Sequence, residues 1–242
     1  FRDYLRQRME KERAGEVRPI LERLSRAYEA LEEWERAYAI IRSLGDTEAL
    51  IELIDISSFN ALYDKTRLIE TWLQDLPPSV LKNNPCILST TGTLKLIKGD
   101  SQAGIVELNK AIEIFRTNTD IPHLVLSLIR RSFGHRYLGD YQTALLDAED
   151  AIQLIEDRDD LQFLYAEALQ MKASILSSFG QFRTALKLFE KMLDIYIHLD
   201  KQEKVLPRLF SDIGLLNYQL GVYDEAEKNF NKALNIYKAR FD

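Results

Sequence analysis

One cysteine, Cys86, stands in the whole chain, so no internal disulfide can form. That fits a reducing compartment, and the expected location is the cytoplasm. Basic charge is also short: 32 Lys and Arg against 38 Asp and Glu leave a net charge of −6 and a pI near 5.3. An acidic surface argues against direct binding of nucleic acid. No apolar run approaches the ~18 residues of a membrane span, and no secretory signal pattern is present. A Gly-rich phosphate-cradling loop ending in Lys-Ser or Lys-Thr is lacking, so no nucleotide site of that kind and no cofactor is expected. His123, His135 and His198 fall at no metal-ligand spacing. Cys86 reads as a small buried filler, and acidic pairs such as Glu149–Asp150 read as solvated faces. With no catalytic constellation and no metal motif, the chain does not read as an enzyme.

What the chain does have is a repeat. Hydrophobic residues make up 46% and charged residues 29%, which is too apolar for disorder. The segment Leu138–Ile152, "LGDYQTALLDAEDAI", places a Gly, an aromatic two residues on, an Ala five on and a second Ala twelve on. Leu220–Leu234 repeats that order with Gly221, Tyr223, Ala226 and Ala233. Phe179–Leu193 carries Gly180, Phe182 and Ala185, and Lys98–Ile112 carries Gly99, Gly104 and Ala111. A degenerate copy at Leu31–Ile41 keeps Trp34 and Ala37 but has Glu32 at the Gly position. The glycines at 99, 139, 180 and 221 are spaced by 40, 41 and 41 residues.

A second set of small residues precedes the first by twelve positions: Ser25, Gly92, Ser132, Ala173 and Gly214. Small residues that face each other across a helical hairpin let the axes approach to the short end of ~8–10 Å. The Gly supplies positive φ at the helix end. This predicts antiparallel helix pairs stacked side by side, a solenoid in which each pair buries its apolar stripe against its neighbours.

Earlier in the chain, residues 46–57 predict a helix capped by Asp46, and residues 64–76 one stopped by Pro77–Pro78. Leu5 and Met9 open a further helical pattern. Pro85, Pro122 and Pro207 are expected near the starts of first helices, where a missing N–H costs least. The division expected is residues 1–80, irregular hairpins, and residues 81–242, four regular pairs. Both ends fall within helical patterns and read as parts of something larger.

The small/Gly/aromatic/Ala/Ala order resembles the tetratricopeptide repeat, lengthened here to about 40 residues from ~34. The fold expected is therefore all-α, a right-handed superhelix of antiparallel helix pairs. The N-terminal third resembles a second family. Phe1, Arg2, Leu5, Arg6 and Arg8, then Trp72, Leu73, Leu76, Pro77 and Pro85, look like the segments that lead into the helical repeats of MalT-like, LuxR-type bacterial transcriptional regulators. That resemblance implies a non-catalytic sensor region that binds a small-molecule inducer or a protein or peptide partner. It also implies contact with an ATPase domain that this sequence does not contain. The alternative is a general tetratricopeptide-like interaction scaffold.

On a repeat ruler, outward positions of the first helices would line a concave groove. Arg136, Tyr137, Gln170, Ser174, Arg208 and Tyr218 are the candidates to bind a ligand or partner, mixing donors with aromatic faces. The aromatic recurrences at Phe115, Tyr141, Phe182, Phe189, Tyr223 and Phe230 read instead as interhelical core.

Overall fold

A computed structural model describes residues 14–61, 65–199 and 202–241. The expected helix around Leu5 and Met9, and the Phe1–Arg8 part of the family resemblance, lie outside these residues. The described residues are helical, with no strand among them. Four helices come first: α1 (Ala14–Ala30), α2 (Trp34–Leu44), α3 (Thr47–Ala61) and α4 (Thr66–Leu73). A short α5 (Pro78–Asn83) leads into the regular pairs. These are α6 and α7 (Pro85–Ile97, Ser101–Thr117), α8 and α9 (Ile121–Tyr137, Tyr141–Ile155), α10 and α11 (Gln162–Ser178, Phe182–His198), and α12 and α13 (Gln202–Gln219, Tyr223–Phe241). Consecutive helices pack from α6 to α13, and the first helices α3, α6, α8 and α10 also touch in series, forming one layer of a solenoid.

Each turn is built the same way. At Gly139 (φ +78°) the glycine N–H donates to the Arg136 carbonyl, and the next N–H, of Asp140, donates back to the His135 carbonyl. This paired closure of a helix end needs a left-handed residue at its centre. The pattern recurs at Gly99, Gly180 and Gly221. The degenerate first copy keeps it with the wrong residue: Glu32 holds φ +56°, and Glu33 N–H still reaches the Tyr28 carbonyl at 2.9 Å. After two of the glycines an aspartate caps the next helix, Asp100 accepting from Ala103 N–H and Asp140 from Thr143 N–H.

The small pairs meet as expected. Ser25 and Ala37, Ser132 and Ala144, and Ala173 and Ala185 are all buried, and Ser132 Oγ donates to the Ala144 carbonyl at 2.6 Å. Among the glycines, the tightest approach is between Gly92 and Gly104. A Cβ added at Gly104 would lie 2.7 Å from the Gly92 carbonyl oxygen and 2.6 Å from Leu96 Cδ2. Gly214 is less constrained, because its nearest neighbour would be the ring of Phe230, itself 41% exposed.

The apolar core runs on through residue 80. Trp34, Ile54, Trp72 and Leu76 share one cluster with Ile87 and Leu94 of the first regular pair. Each such fully buried Ile or Leu contributes ~1.5–3 kcal/mol relative to exposure. Two sequence details come out differently. Pro207 is the sixth residue of α12 and not in its first turn, because the helix begins five residues earlier, at Gln202. The turn aromatic Tyr223, read as core, is 64% exposed. Its counterpart Tyr141 rests edge-on against Phe179 of the following hairpin, whereas α13 is the last described helix.

Three substitutions test this account. Gly104→Ala should cost ~1–3 kcal/mol by overpacking against backbone, and should lower Tm more than Gly214→Ala, whose added methyl meets a movable ring. Equal losses would contradict the ranking. Glu32→Gly should raise stability on the order of 0.5–1 kcal/mol, since left-handed strain is relieved at some entropic cost in the unfolded chain. An unchanged or lowered Tm would show that Glu32 carries no strain.

Candidate functional site

A buried polar seam lines up the first helices. Arg130 of α8 is only 7% exposed, and its guanidinium donates to Ser89 Oγ of α6 at 3.0 Å and to the Ser58 carbonyl of α3 at 2.8 Å. Ser89 Oγ lies 2.9 Å from Ser127 Oγ, and Thr90 Oγ1 donates to Ser58 Oγ at 3.0 Å. A buried cation is tolerated only when its donors are met, so this network favours one register among α3, α6 and α8. Arg131, its neighbour, turns the other way and forks onto buried Asp147 of α9 at 2.9 and 2.6 Å. The sequence reading did not pick out these residues. Polar residues at core positions of α3, α6 and α8 were the available signal.

The six candidate groove residues fall into local groups. Arg136, half-buried at the end of α8, lies over the rings of Phe133 (5.6 Å) and Tyr137 (5.7 Å), which pack together at 4.6 Å. Its Nε is buried and without a hydrogen-bond partner, while Tyr137 is 64% exposed. Gln170 and Ser174 are half-buried on α10. Tyr218, at the end of α12, meets Tyr223 edge-on at 5.6 Å. Counted from the small residue of each first helix, Arg136 and Tyr218 are both four residues on, whereas Arg208 is six before. Ten residues of helix correspond to ~15 Å along the axis, so the two arginines serve opposite ends of the wall.

Arg208 has acidic company. It comes within 4.0 Å of Asp212 Oδ2, and its charge acts on Glu167, the equivalent position of α10. Burial raises the Glu167 carboxyl above the usual range, against the opposing pull of the Tyr196 hydroxyl bond at 2.6 Å and of Arg208. Asp212 is raised in the same way, again by burial and against Arg208. This end of the wall is a compensated acidic patch, and Glu167 and Asp212 are wall residues that the repeat ruler did not single out.

A third group lies outside what the sequence spacing could reach. His123, Cys86 and Asp55 lie far apart in the chain, yet their ligand-capable atoms all sit within 4.8 Å of one another. They come from the first turns of α8 and α6 and from the middle of α3, helices that share the seam. His123 Nε2 is 2.9 Å from Asp55 Oδ2, and Nδ1 is 2.9 Å from both carboxylate oxygens of Asp120. Those hydrogen bonds, led by Asp55, outweigh burial and raise the imidazole to about 9. Burial, followed by the charges of Asp55 and Asp120, pushes the Cys86 thiol up to about 12. Cys86 is half-buried: it packs against the apolar core, as a filler does, and also borders Asp55 and His123. Spacing could not reveal the cluster, because stacking of repeats assembles it.

The raised Glu167 has a consequence for stability. A carboxyl whose folded pKa exceeds its unfolded value binds its proton more tightly in the fold, so its ionised form opposes folding. Glu167→Gln, which still accepts from Tyr196, should stabilise the chain at neutral pH. That advantage should shrink as pH falls through the raised value toward 4.5. Thermal melts of both proteins across pH check this; a variant less stable at pH 7 would contradict it.

Residues 207–240 match the tetratricopeptide repeat family model. Comparison with curated proteins returned no match. Among solved structures, the chain is similar to a signal transduction ATPase with numerous domains carrying a tetratricopeptide repeat sensor, from Pyrococcus horikoshii. That match has TM-score 0.68 and 16% identity, over 93% of this chain and 35% of that one. BtubC (BKLC) from P. vanneervenii matches with TM-score 0.62 and 19% identity, over 91% and 92% of the two chains. Kinesin light chain-like repeats from Podosopora anserina match with TM-score 0.52 and 14% identity, over 93% and 96%. At these identities the likeness is one of fold: this chain is a tetratricopeptide-like helical solenoid.

Proposed function

We propose that this chain is the sensing arm of a bacterial signal-transduction regulator, and that it binds its effector or partner on the first-helix wall. The coarser part of this reading follows from the fold, since tetratricopeptide-like arrays are interaction scaffolds and not catalysts. The observation that carries the finer part is the end of α8. A guanidinium lies there over the packed rings of Phe133 and Tyr137, with one buried donor unmet and the tyrosine ring largely in solvent. Such an arrangement suits a carbonyl, carboxylate or aromatic group on an incoming molecule, which the solvent-facing part of the half-buried guanidinium and the exposed Tyr137 ring can meet. Tyr218 occupies the equivalent place two pairs further along. The resemblance of Trp72–Pro85 to MalT-like regulators, and the fold shared with a signal transduction ATPase that has a repeat sensor, support a role next to an ATPase. An effector then acts by favouring one arrangement of arm and ATPase over another.

The general scaffold reading differs in the occupant, a polypeptide and not an inducer, and uses the same wall. Photo-crosslinking residues placed at Tyr137 or at Leu146, which is 65% exposed on α9, test the wall in producing cells. Adducts are expected at position 137 and should fall ~10-fold or more with Arg136→Ala, the size of one charge-assisted hydrogen bond. Adducts at position 146 alone would move the binding face to the second helices.

A further inference from the structure

We propose that Asp55, Cys86 and His123 form a binding site for a divalent transition-metal ion, zinc by the chemistry of the donors. The ligands would be Asp55 Oδ2, Cys86 Sγ and His123 Nε2, one from each of three stacked first helices. All three atoms already lie within 4.8 Å of one another, and Nε2 and Oδ2 are 2.9 Å apart. Zinc bonds of ~2.0–2.1 Å to nitrogen and oxygen and ~2.3 Å to sulfur at a tetrahedral angle need ~3.3 Å between Nε2 and Oδ2 and ~3.5 Å from each to Sγ, so Nε2 and Oδ2 would part by a few tenths of an ångström while Sγ closes in from within 4.8 Å. The mixed nitrogen, sulfur and carboxylate set selects zinc over magnesium or calcium, which prefer oxygen alone.

The surroundings are those a metal-bound histidine uses. Nδ1 is held by the Asp120 carboxylate at 2.9 Å, which fixes the ring so that Nε2 faces Asp55 and Cys86. The imidazole stacks on Phe115 at 5.2 Å and meets Phe59 edge-on at 6.1 Å, so it has little freedom to turn away. Charge closes as well. Two carboxylates and a thiolate balance one divalent ion together with Arg130, whose charge reaches the thiol. Binding releases one proton from Nε2 and one from Sγ. Three protein ligands leave a fourth position for water or a group from another molecule. Because α3, α6 and α8 all contribute, an ion here would tie the N-terminal hairpins to the regular array.

The test uses the tag-free 242-residue chain, stripped with chelator and titrated with Co(II) and Zn(II) in mildly alkaline buffer. The expected result is one ion per chain, with a thiolate-to-cobalt charge-transfer band and the intense visible bands of four-coordination, both abolished by zinc. Cys86→Ser should remove the charge-transfer band and weaken zinc binding ~100-fold or more. Asp120→Asn should weaken binding ~10–100-fold while leaving the band in place. If Cys86→Ser fails to fold, protection of Cys86 from alkylation by zinc in the unaltered chain serves in its place. No saturable binding, binding without a thiolate band, or no protection of Cys86 would each overturn the proposal and leave the cluster as an imidazolium held between carboxylates.

Discussion

The fold depends on how closely two helices can approach. Every regular hairpin closes on two small residues twelve apart in sequence, and at Gly92 and Gly104 even one added methyl would meet backbone. That contact sets the angle and spacing of each pair, and the left-handed turn sets where the second helix starts. Identical spacing repeated four times stacks the pairs in step, so the first helices form a continuous layer. What the first helices carry then places the candidate sites: a buried polar seam around Arg130, and the residues of the proposed binding wall.

The repeats were legible because their chemistry is local. A Gly that must be left-handed, an Asp that caps and a small residue at a crossing each show in a window of fifteen residues. The exceptions also have local causes. Glu32 stands where a Gly belongs and takes the strained conformation anyway, because Trp34 and Ala37 are buried with the rest of the pair. Pro207 sits inside α12 because the helix extends back to Gln202.

The site was legible only in part, for a physical reason. A repeat ruler shows which residues leave a helix on the same side, and it found Arg136 and Tyr137 together. It does not show what faces them from the next helix. Arg208 thus belongs to an acidic end with Glu167 and Asp212, and Glu167 is the same ruler position in the preceding pair. The seam around Arg130 and the cluster of Asp55, Cys86 and His123 are assembled from three helices and follow no sequence spacing. They became visible only once α3, α6 and α8 were placed side by side. Polar residues at core positions, anomalous for a purely apolar solenoid, were the trace they left in the sequence.

The central claim is that the array is a set of hairpins held in register by the seam of α3, α6 and α8, with cooperativity fading away from it. Residue-resolved hydrogen exchange of the intact chain tests this most directly. The account predicts slowest exchange in α6 and α8, intermediate exchange in α9 and α10, and earliest opening of α13, which packs mainly on α12. A single exchange rate shared by all helices, or α8 opening before α13, would contradict it.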